Sequence, residues 1–375
     1  MTGDPPLTAY GAVRATEPAL AESVRRALVA AEVDAGIAIG LIGCGWIAGM
    51  QLDAYRKMGL NVVALYDRHP ERAEAHAALY YPDARVYTNR GDFLRHPGLQ
   101  VVDVATHVDA RSETVLSCIR AGKHVLSQKP FVEDLAIGEE LAAAADDAGV
   151  LLAVNQNGRW APHFGAMLSL VEAGLIGRVV SADFQMAWPH DLVVEDKPAF
   201  SSMADLILFD FGAHWFDLLG QLAPEGGLDV HAITAHRSGQ AIEAPTQANV
   251  VVTGEDFVGS LVFRAAERFA EYGGYRVSGT RGVITQAGTS LGGQSVTLHT
   301  AEGVATIETS EDWFTHGLAG AMRALLSAIS MGRTPPHAAG TALRGLQLCF
   351  AALQSARTGE TVAAGSAVRR DAALR

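Results

Sequence analysis

The sequence predicts an α/β chain in two parts: a doubly wound parallel sheet, followed by an α+β domain with a large, mostly antiparallel, open-faced sheet. Three observations lead there. From Gly36 to about residue 154, short apolar runs alternate with amphipathic helical stretches, as in a parallel sheet covered on both faces. Beyond Asn155, long segments alternate polar and apolar residues and are joined by tight turns, which is the antiparallel pattern. With 375 residues, 49% of them hydrophobic, the chain is long enough to fill two cores.

The elements follow in order. "GIAIGLIG" is a continuous apolar strand, and a helix is expected from about Trp46 to Met58. "NVVALYD" is a second strand, and "PERAEAHAALY" a helix with proline in its first turn. Short strands follow at Arg85–Tyr87 and "VVDVAT", each with a helix behind it; "KHVLS" and "VLLAV" complete the series around a helix over 133–148. In the second part a helix over 162–173 precedes the strand "GRVVSADFQMAW", and one helix is expected from about Met203 to Leu222. "ANVVVTGEDFVGSLVFRAA", "YRVSGTRGVITQAG" and "VTLHTAEGVATIET" read as hairpins turning at Gly254, Gly282 and Gly303. Helices over 313–331 and 341–357 close the chain. The expected division is an N-terminal arm and helix (1–35, the helix over 17–33), a first domain (36–154), a second (155–336), and a C-terminal helix packing back on the first domain, with a tail (337–375).

Charge and composition narrow the classes of function. A net charge of −12 argues against a nucleic-acid or anionic-membrane surface. Cys44, Cys118 and Cys349 stand far apart, without metal-ligand spacing, and suggest reduced thiols in a cytoplasmic protein. No apolar run is long enough to cross a bilayer, and the N-terminus has no basic region followed by an apolar block. The histidines show no metal-ligand spacing, so no metal is expected.

The sharpest motif is Gly43-Cys44-Gly45-Trp46-Ile47-Ala48, between the first strand and the first helix of the series. Gly43 permits the turn, Gly45 lets backbone N–H groups approach a pyrophosphate, and Ala48 lets the helix pack closely on the sheet. Asp67, at the end of the second strand, is placed to accept ribose hydroxyls. The first domain is therefore read as a Rossmann dinucleotide-binding domain. Asp67 would repel a 2′-phosphate and favours NAD, whereas Arg68 beside it would grip one, so NADP stays open.

A second feature is "SQKPF", where a buried strand ends in Gln128, Lys129 and Pro130. A third is "LILFDFGAHWFDLLGQL", apolar nearly all round, with Asp210, His214 and Asp217 at helical spacing. Buried ionisable groups need partners or a cleft. His214 suits proton transfer from an alcohol, Asp210 is expected to orient it, and Lys129 would stabilise a developing alkoxide. Lys129 taking the proton itself is the alternative. Asp217 is expected to be structural.

The glycine loop, "AGKHVLSQKP" and "DFGAHWFDLL" together resemble the Gfo/Idh/MocA family, which includes glucose-fructose oxidoreductase and inositol dehydrogenases. The closing "GRTPPHAAGTALRGLQLCFAALQSARTGETV" is similar to that family's C-terminal helical segment, so the resemblance runs from Gly36 to about Val362. It implies that Lys129 projects beside the nicotinamide and the reacting carbon, and that Asp210 and His214 form a catalytic pair. Gln128 stands where the family usually has glutamate. In Thr106-His107-Val108-Asp109-Ala110-Arg111, His107 replaces a proline and Arg111 a histidine. Thr106, His107, Arg111, Gln128 and Asn155 are expected near the cofactor, beside Gly43, Gly45, Trp46, Ile47, Ala48, Asp67 and Arg68. Asn157, Arg159, His163, Trp188 and His190 are expected around the substrate with Lys129, Asp210 and His214.

The expected activity is NAD(P)-dependent oxidation of a secondary hydroxyl on a sugar, polyol or sugar derivative, reversibly. The alternatives are an NAD-using glycoside hydrolase or lyase working through transient oxidation, and a non-catalytic nucleotide sensor. A homodimer or homotetramer is expected, with the free sheet face available for pairing and the N-terminal arm adding contact.

Overall fold

The structure is a computed structural model that describes residues 18–28, 36–288, 293–309 and 312–367. In chain order, the first part holds α1 (Pro18–Ala27), β1 (Ile39–Ile42), α2 (Trp46–Lys57), β2 (Val62–Tyr66), α3 (Pro70–Tyr80), β3 (Arg85–Tyr87), α4 (Arg90–Leu94), β4 (Val101–Val104), α5 (Val108–Arg120), β5 (His124–Gln128), α6 (Leu135–Asp147) and β6 (Leu152–Asn155). The strands form one parallel sheet in the order β3-β2-β1-β4-β5-β6. Its order reverses between β1 and β4, the switch point at whose carboxyl edge sheets of this kind bind ligands. The strands are apolar because helices bury both their faces; β1, β4 and β6 carry no exposed residue.

A short 3₁₀ turn (Asn157–Trp160) leads into α7 (Pro162–Glu172), β7 (Val179–Ala187), α8 (His190–Val194), α9 (Pro198–Ser201) and α10 (Ala213–Leu222). Then come β8 (Asp229–Ala235), β9 (Gln247–Gly254), β10 (Phe257–Arg264), β11 (Tyr272–Gly279), β12 (Gly282–Gly288), β13 (Gln294–Thr300) and β14 (Gly303–Thr309), followed by α11 (Trp313–Met331), α12 (Ala339–Thr358) and β15 (Val362–Ala363). The nine strands from β7 onward form one sheet, β14-β13-β12-β11-β7-β10-β9-β8-β15. Only the β7–β10 pairing is parallel, which makes the sheet mostly antiparallel. Alternation is clean on β9 and β10, where Ala248, Val250, Val252, Leu261 and Phe263 point into the core.

Several expectations differ from this. The helix expected from Met203 to Leu222 is not continuous. Ile207–Phe211 is a π-helical turn, closed by the Gly212 N–H donating to the Ile207 carbonyl at 3.1 Å, and α10 begins only at Ala213. A Cβ on Gly212 would lie 2.7 Å from the Leu208 carbonyl oxygen, so glycine suits this wide turn. Strand β8 escaped the pattern because its inward face is only Val230 and Ala232, and β15 is two residues long. Helix α11, expected within 155–336, packs on α2: Leu318, Met322, Leu325 and Leu326 share one cluster with Leu41, Leu52 and Tyr55 of the parallel layer. Helix α12 lies against α6 on one side and α10 and β8 on the other. Of the expected N-terminal helix, α1 buries Leu20 and Val24 and contacts α7 and β14; the expected arm over 1–15 lies outside the described residues.

Candidate active site

The glycine loop sits where the sheet order reverses. Gly43 has φ +95°, and a Cβ there would meet the backbone N of Thr106 at 2.9 Å, so the loops after β1 and β4 touch at this point. Gly45 is the N-cap of α2 and offers no side-chain cap, leaving the helix's first N–H groups without a side-chain acceptor. A Cβ on Gly45 would meet nothing within 4 Å, which leaves an open cradle at a helix N-terminus. Ala48 is fully buried, letting α2 approach the sheet, Ile47 is partly buried, and Trp46 is 60% exposed at the rim. These residues fit a dinucleotide's pyrophosphate. Asp67 braces the loop by accepting from the N–H groups of Cys44 (2.7 Å) and His69 (2.8 Å). Each carboxylate oxygen thus already has one partner and keeps lone-pair capacity for a hydroxyl. Arg68 is exposed beside it.

At the same edge β5 ends in Gln128, whose Oε1 accepts from the Lys129 N–H at 2.8 Å and whose buried Nε2 has no partner. Asn155, its neighbour across the β5–β6 register, is fully buried with both amide atoms unpartnered, and the Thr106 hydroxyl is in the same condition. Unpaired buried polar atoms are rare because each costs roughly 1–3 kcal/mol. Three such side chains at one strand edge fit a polar ligand laid across it. His107 is exposed at the start of α5, with Asp109 3.3 Å away.

Lys129 is the link between the layers. The Lys129–Pro130 peptide is cis, and Lys129 Nζ donates to Asp210 Oδ1 and to the Asp210 carbonyl, both at 3.1 Å. Burial pushes the Asp210 carboxyl up, but the Lys129 charge, helped by His190 and His214, outweighs it and holds the group below its usual range. His214 is driven down to about 3 by burial, with Lys129 adding to the effect, and burial takes His190 to about 4, so both imidazoles are neutral at pH 7. His214 Nδ1, His190 Nε2 and Trp188 Nε1 are all buried without partners. Trp188 packs edge-on to Phe211, Trp215 and Trp313, and His190 lies 4.6 Å from Phe211. Lys129, Trp188, His190 and His214 are each partly exposed, and the electrostatic contacts of Asp210 bring its carboxylate together with both imidazoles and the lysine.

Several of the expected site residues have partners of their own in this geometry. Asp210 makes no hydrogen bond to His214: the π-turn shifts it out of the one-turn relation that a regular helix would impose, and its carboxylate pairs with Lys129 instead. Arg159 is buried and forked onto Asp217 (2.6 Å for both bonds), with a third bond to the Pro336 carbonyl, so it is a structural cation. Asn157 Oδ1 accepts from Trp313 Nε1 at 2.8 Å in the interior, and His163 is stacked among Phe164, Tyr275 and Trp313. Arg111 is 3% exposed and donates to the carbonyls of Thr106 and Pro130. Trp313, which orients Asn157 and lies 5.6 Å from His214, was not singled out in the sequence; an aromatic at a helix start gives no signal of its own.

Among the described residues no group of three or more His, Cys, Asp or Glu could hold a metal ion, and no helix is long and apolar enough to cross a membrane. An open glycine cradle at a sheet reversal, with a lysine-bearing cleft at the same edge, defines a dinucleotide-binding α/β protein. Comparison with known proteins narrows the class. Residues 37–156 match the model of an oxidoreductase family with an NAD-binding Rossmann fold, and residues 164–285 match the Gfo/Idh/MocA C-terminal domain, together more than half of the chain. The chain belongs to the Gfo/Idh/MocA oxidoreductase family. It is 31% identical to D-apiose dehydrogenase of Paraburkholderia graminis over 59% of this chain and 58% of that protein. It is 28% identical to 1,5-anhydro-D-fructose reductase of Ensifer adhaerens over 72% of this chain and 80% of the relative. An oxidoreductase from Agrobacterium radiobacter, crystallised with NAD+, L-tartaric acid and magnesium, has the same fold (TM-score 0.78, 21% identity, covering 88% of this chain and 99% of that one).

The buried histidines carry a stability prediction. His163 has its pKa lowered by burial from 6.5 to about 4, so its contribution is fully present above the unfolded-state value and is lost as pH falls from about 6.5 towards 4. Urea titrations across pH 7 to 4.5 are expected to show declining unfolding free energy. His163→Phe should flatten that decline, by on the order of 3 kcal/mol across the full window. An unchanged slope would mean that His163 is not held neutral by burial.

Proposed function

We propose that the protein is an NAD(P)-dependent dehydrogenase that reversibly oxidises a secondary hydroxyl of a sugar, polyol or sugar derivative. The observation that carries this reading is the Lys129–Asp210 pair at the strand edge next to the glycine cradle, flanked by two neutral imidazoles with unpartnered ring nitrogens. The names of the relatives, a D-apiose dehydrogenase and an anhydrofructose reductase, support the substrate class. Gly43, Gly45 and Asp67 would hold the dinucleotide, which would supply the hydride acceptor for the carbinol carbon. Lys129, paired with Asp210, draws the substrate oxygen and stabilises the negative charge developing on it. His214, uncharged at working pH, takes the hydroxyl proton. The imidazolium that forms and the ammonium are like charges, and the Asp210 carboxylate, which interacts with both, offsets their repulsion. Asp67 favours NAD over NADP.

The first test is a panel of sugars, inositols, sugar acids and glycosides, including D-apiose and 1,5-anhydro-D-fructose, read at the reduced-nicotinamide absorbance with each cofactor. Net NADH formation with NAD is expected; product without net NADH would favour a transient-oxidation lyase or glycosidase. Lys129→Ala should lower turnover at least ~100-fold while NADH binding stays within about threefold. Lys129→Arg keeps the charge but holds its proton, so it separates the roles. Partial activity in the arginine variant supports electrostatic work by Lys129, and total loss assigns the proton to it.

We also propose assembly through the outer face of the nine-stranded sheet. Helices cover the inner face, while Ile233 (57% exposed), Val251 (42%) and Val258 (50%) stand on the other. Light scattering is expected to give a dimer or tetramer, and Ile233→Glu with Val258→Glu a smaller species. An unaltered mass in the double variant would remove this face from the interface.

A further inference from the structure

Arg111 does work that none of the roles above assigns to it. It lies in the first turns of α5, is 3% exposed, and sends its two terminal nitrogens to different loops. Nη2 donates to the Thr106 carbonyl at 2.6 Å, and Nη1 donates to the carbonyl of Pro130, the residue after Lys129. Thr106 begins the loop that backs on to Gly43, so one guanidinium joins the rim of the glycine cradle to the turn carrying the lysine. The residues after that turn, Phe131 and Val132, are anchored in the core at 1% exposure each, so Arg111 acts on the two residues, Lys129 and Pro130, that join β5 to that core. Burial weakens the hold of Arg111 on its proton, to about 10, and the carboxylates of Asp210, Asp109 and Glu133 oppose that shift. The guanidinium remains charged at neutral pH.

A buried arginine held only for stability would serve equally well on one carbonyl or on a carboxylate, as Arg159 does on Asp217. Here the partners are two backbone carbonyls from two loops, with no carboxylate hydrogen-bonded to it. That geometry transmits position: neither loop can shift without breaking a charge-assisted hydrogen bond. We propose that Arg111 is a positioning residue, a clamp that fixes the height and direction of Lys129 relative to the nucleotide loop. Its effect on turnover rests on the dehydrogenase reading; its effect on loop order does not. Displacing a reacting group by about 1 Å costs on the order of 100-fold in rate, so the expected phenotype lies in turnover and not in binding.

The test uses the full-length chain with Arg111→Met and Arg111→Lys. Amide hydrogen exchange, which needs no substrate, should rise about tenfold or more over 106–111 and 128–132 in Arg111→Met, with the nine-stranded sheet unchanged. NADH affinity, read by nicotinamide fluorescence, should stay within about threefold. On the best substrate from the panel, turnover should fall roughly 10- to 100-fold, with the substrate KM within about threefold and a larger primary deuterium isotope effect. Arg111→Lys, which can still donate to a carbonyl, should recover at least part of that loss and of the exchange protection. Unchanged exchange in both segments overturns the clamp, and so does a lower melting temperature with turnover intact. Should Arg111→Met not fold, Arg111→Lys carries the same exchange measurement, with a smaller rise expected. A wild-type chain that turns over nothing in the panel defeats the dehydrogenase reading, and the clamp then stands or falls on exchange alone.

Discussion

The ion pair between Lys129 and Asp210 is the constraint around which the rest of the site is arranged. It joins the end of β5 in the parallel sheet to the π-turn above the antiparallel one, and both side chains are largely withdrawn from water. Two charges brought out of water lose several kcal/mol of solvation each, and their attraction repays this only when other polar groups complete the shell. The Asp210 carbonyl supplies part of that shell by taking a second bond from the ammonium. The unpartnered nitrogens of His190, His214 and Trp188 show where the shell is left incomplete. Such a pair is a weak source of stability, and the open polar positions around it are where a hydroxylated molecule would be held.

The π-turn explains how one helix can both be core and hold this pair. A regular α-helix over 203–222 would stack Asp210 and His214 on one face, as the spacing of the residues suggests. The wider turn rotates Asp210 towards Lys129 and leaves His214 partly exposed with a free ring nitrogen. The carboxylate then pairs with the lysine directly and acts on the imidazole only through space. Phe209, Phe211, Trp215 and Phe216 stay buried throughout, so the irregularity is carried on an apolar frame that tolerates it.

Much of this could be seen in the sequence, and what could not has physical causes. The parallel layer was legible because strands buried on both faces must be continuously apolar, and the glycine loop because a tight turn and a bare helix N-terminus leave few residues to choose from. Lys129 was legible as a charge at the end of a buried strand. The partners of Arg159, Asn157 and Arg111 were not, because hydrogen bonds such as those from Arg159 to Asp217 and Pro336 cross long stretches of chain and no local pattern encodes them. The π-turn was invisible for a related reason: its residues are apolar all round, so periodicity cannot tell which turn is wide. Strand β8 was lost because alanine on its inward face blunts the alternation.

Two of the three places where this chain departs from the pattern it resembles, Gln128 and Arg111, lie on either side of Lys129, and charge connects them. A glutamate at 128 would put a carboxylate one residue from the lysine and compete with Asp210 for it. Glutamine instead turns its oxygen on to the Lys129 N–H, which fixes the backbone and adds no charge. Asp210 is then the carboxylate paired with the ammonium. Arg111 holds the following carbonyl, and as a second cation it adds no rival acceptor for the lysine. Neutral on one side and positive on the other, these neighbours direct the Lys129 side chain out of its own layer and across to the second. A turn that binds its lysine to nothing nearby leaves it to the cleft, and the pair on which the site depends follows from that.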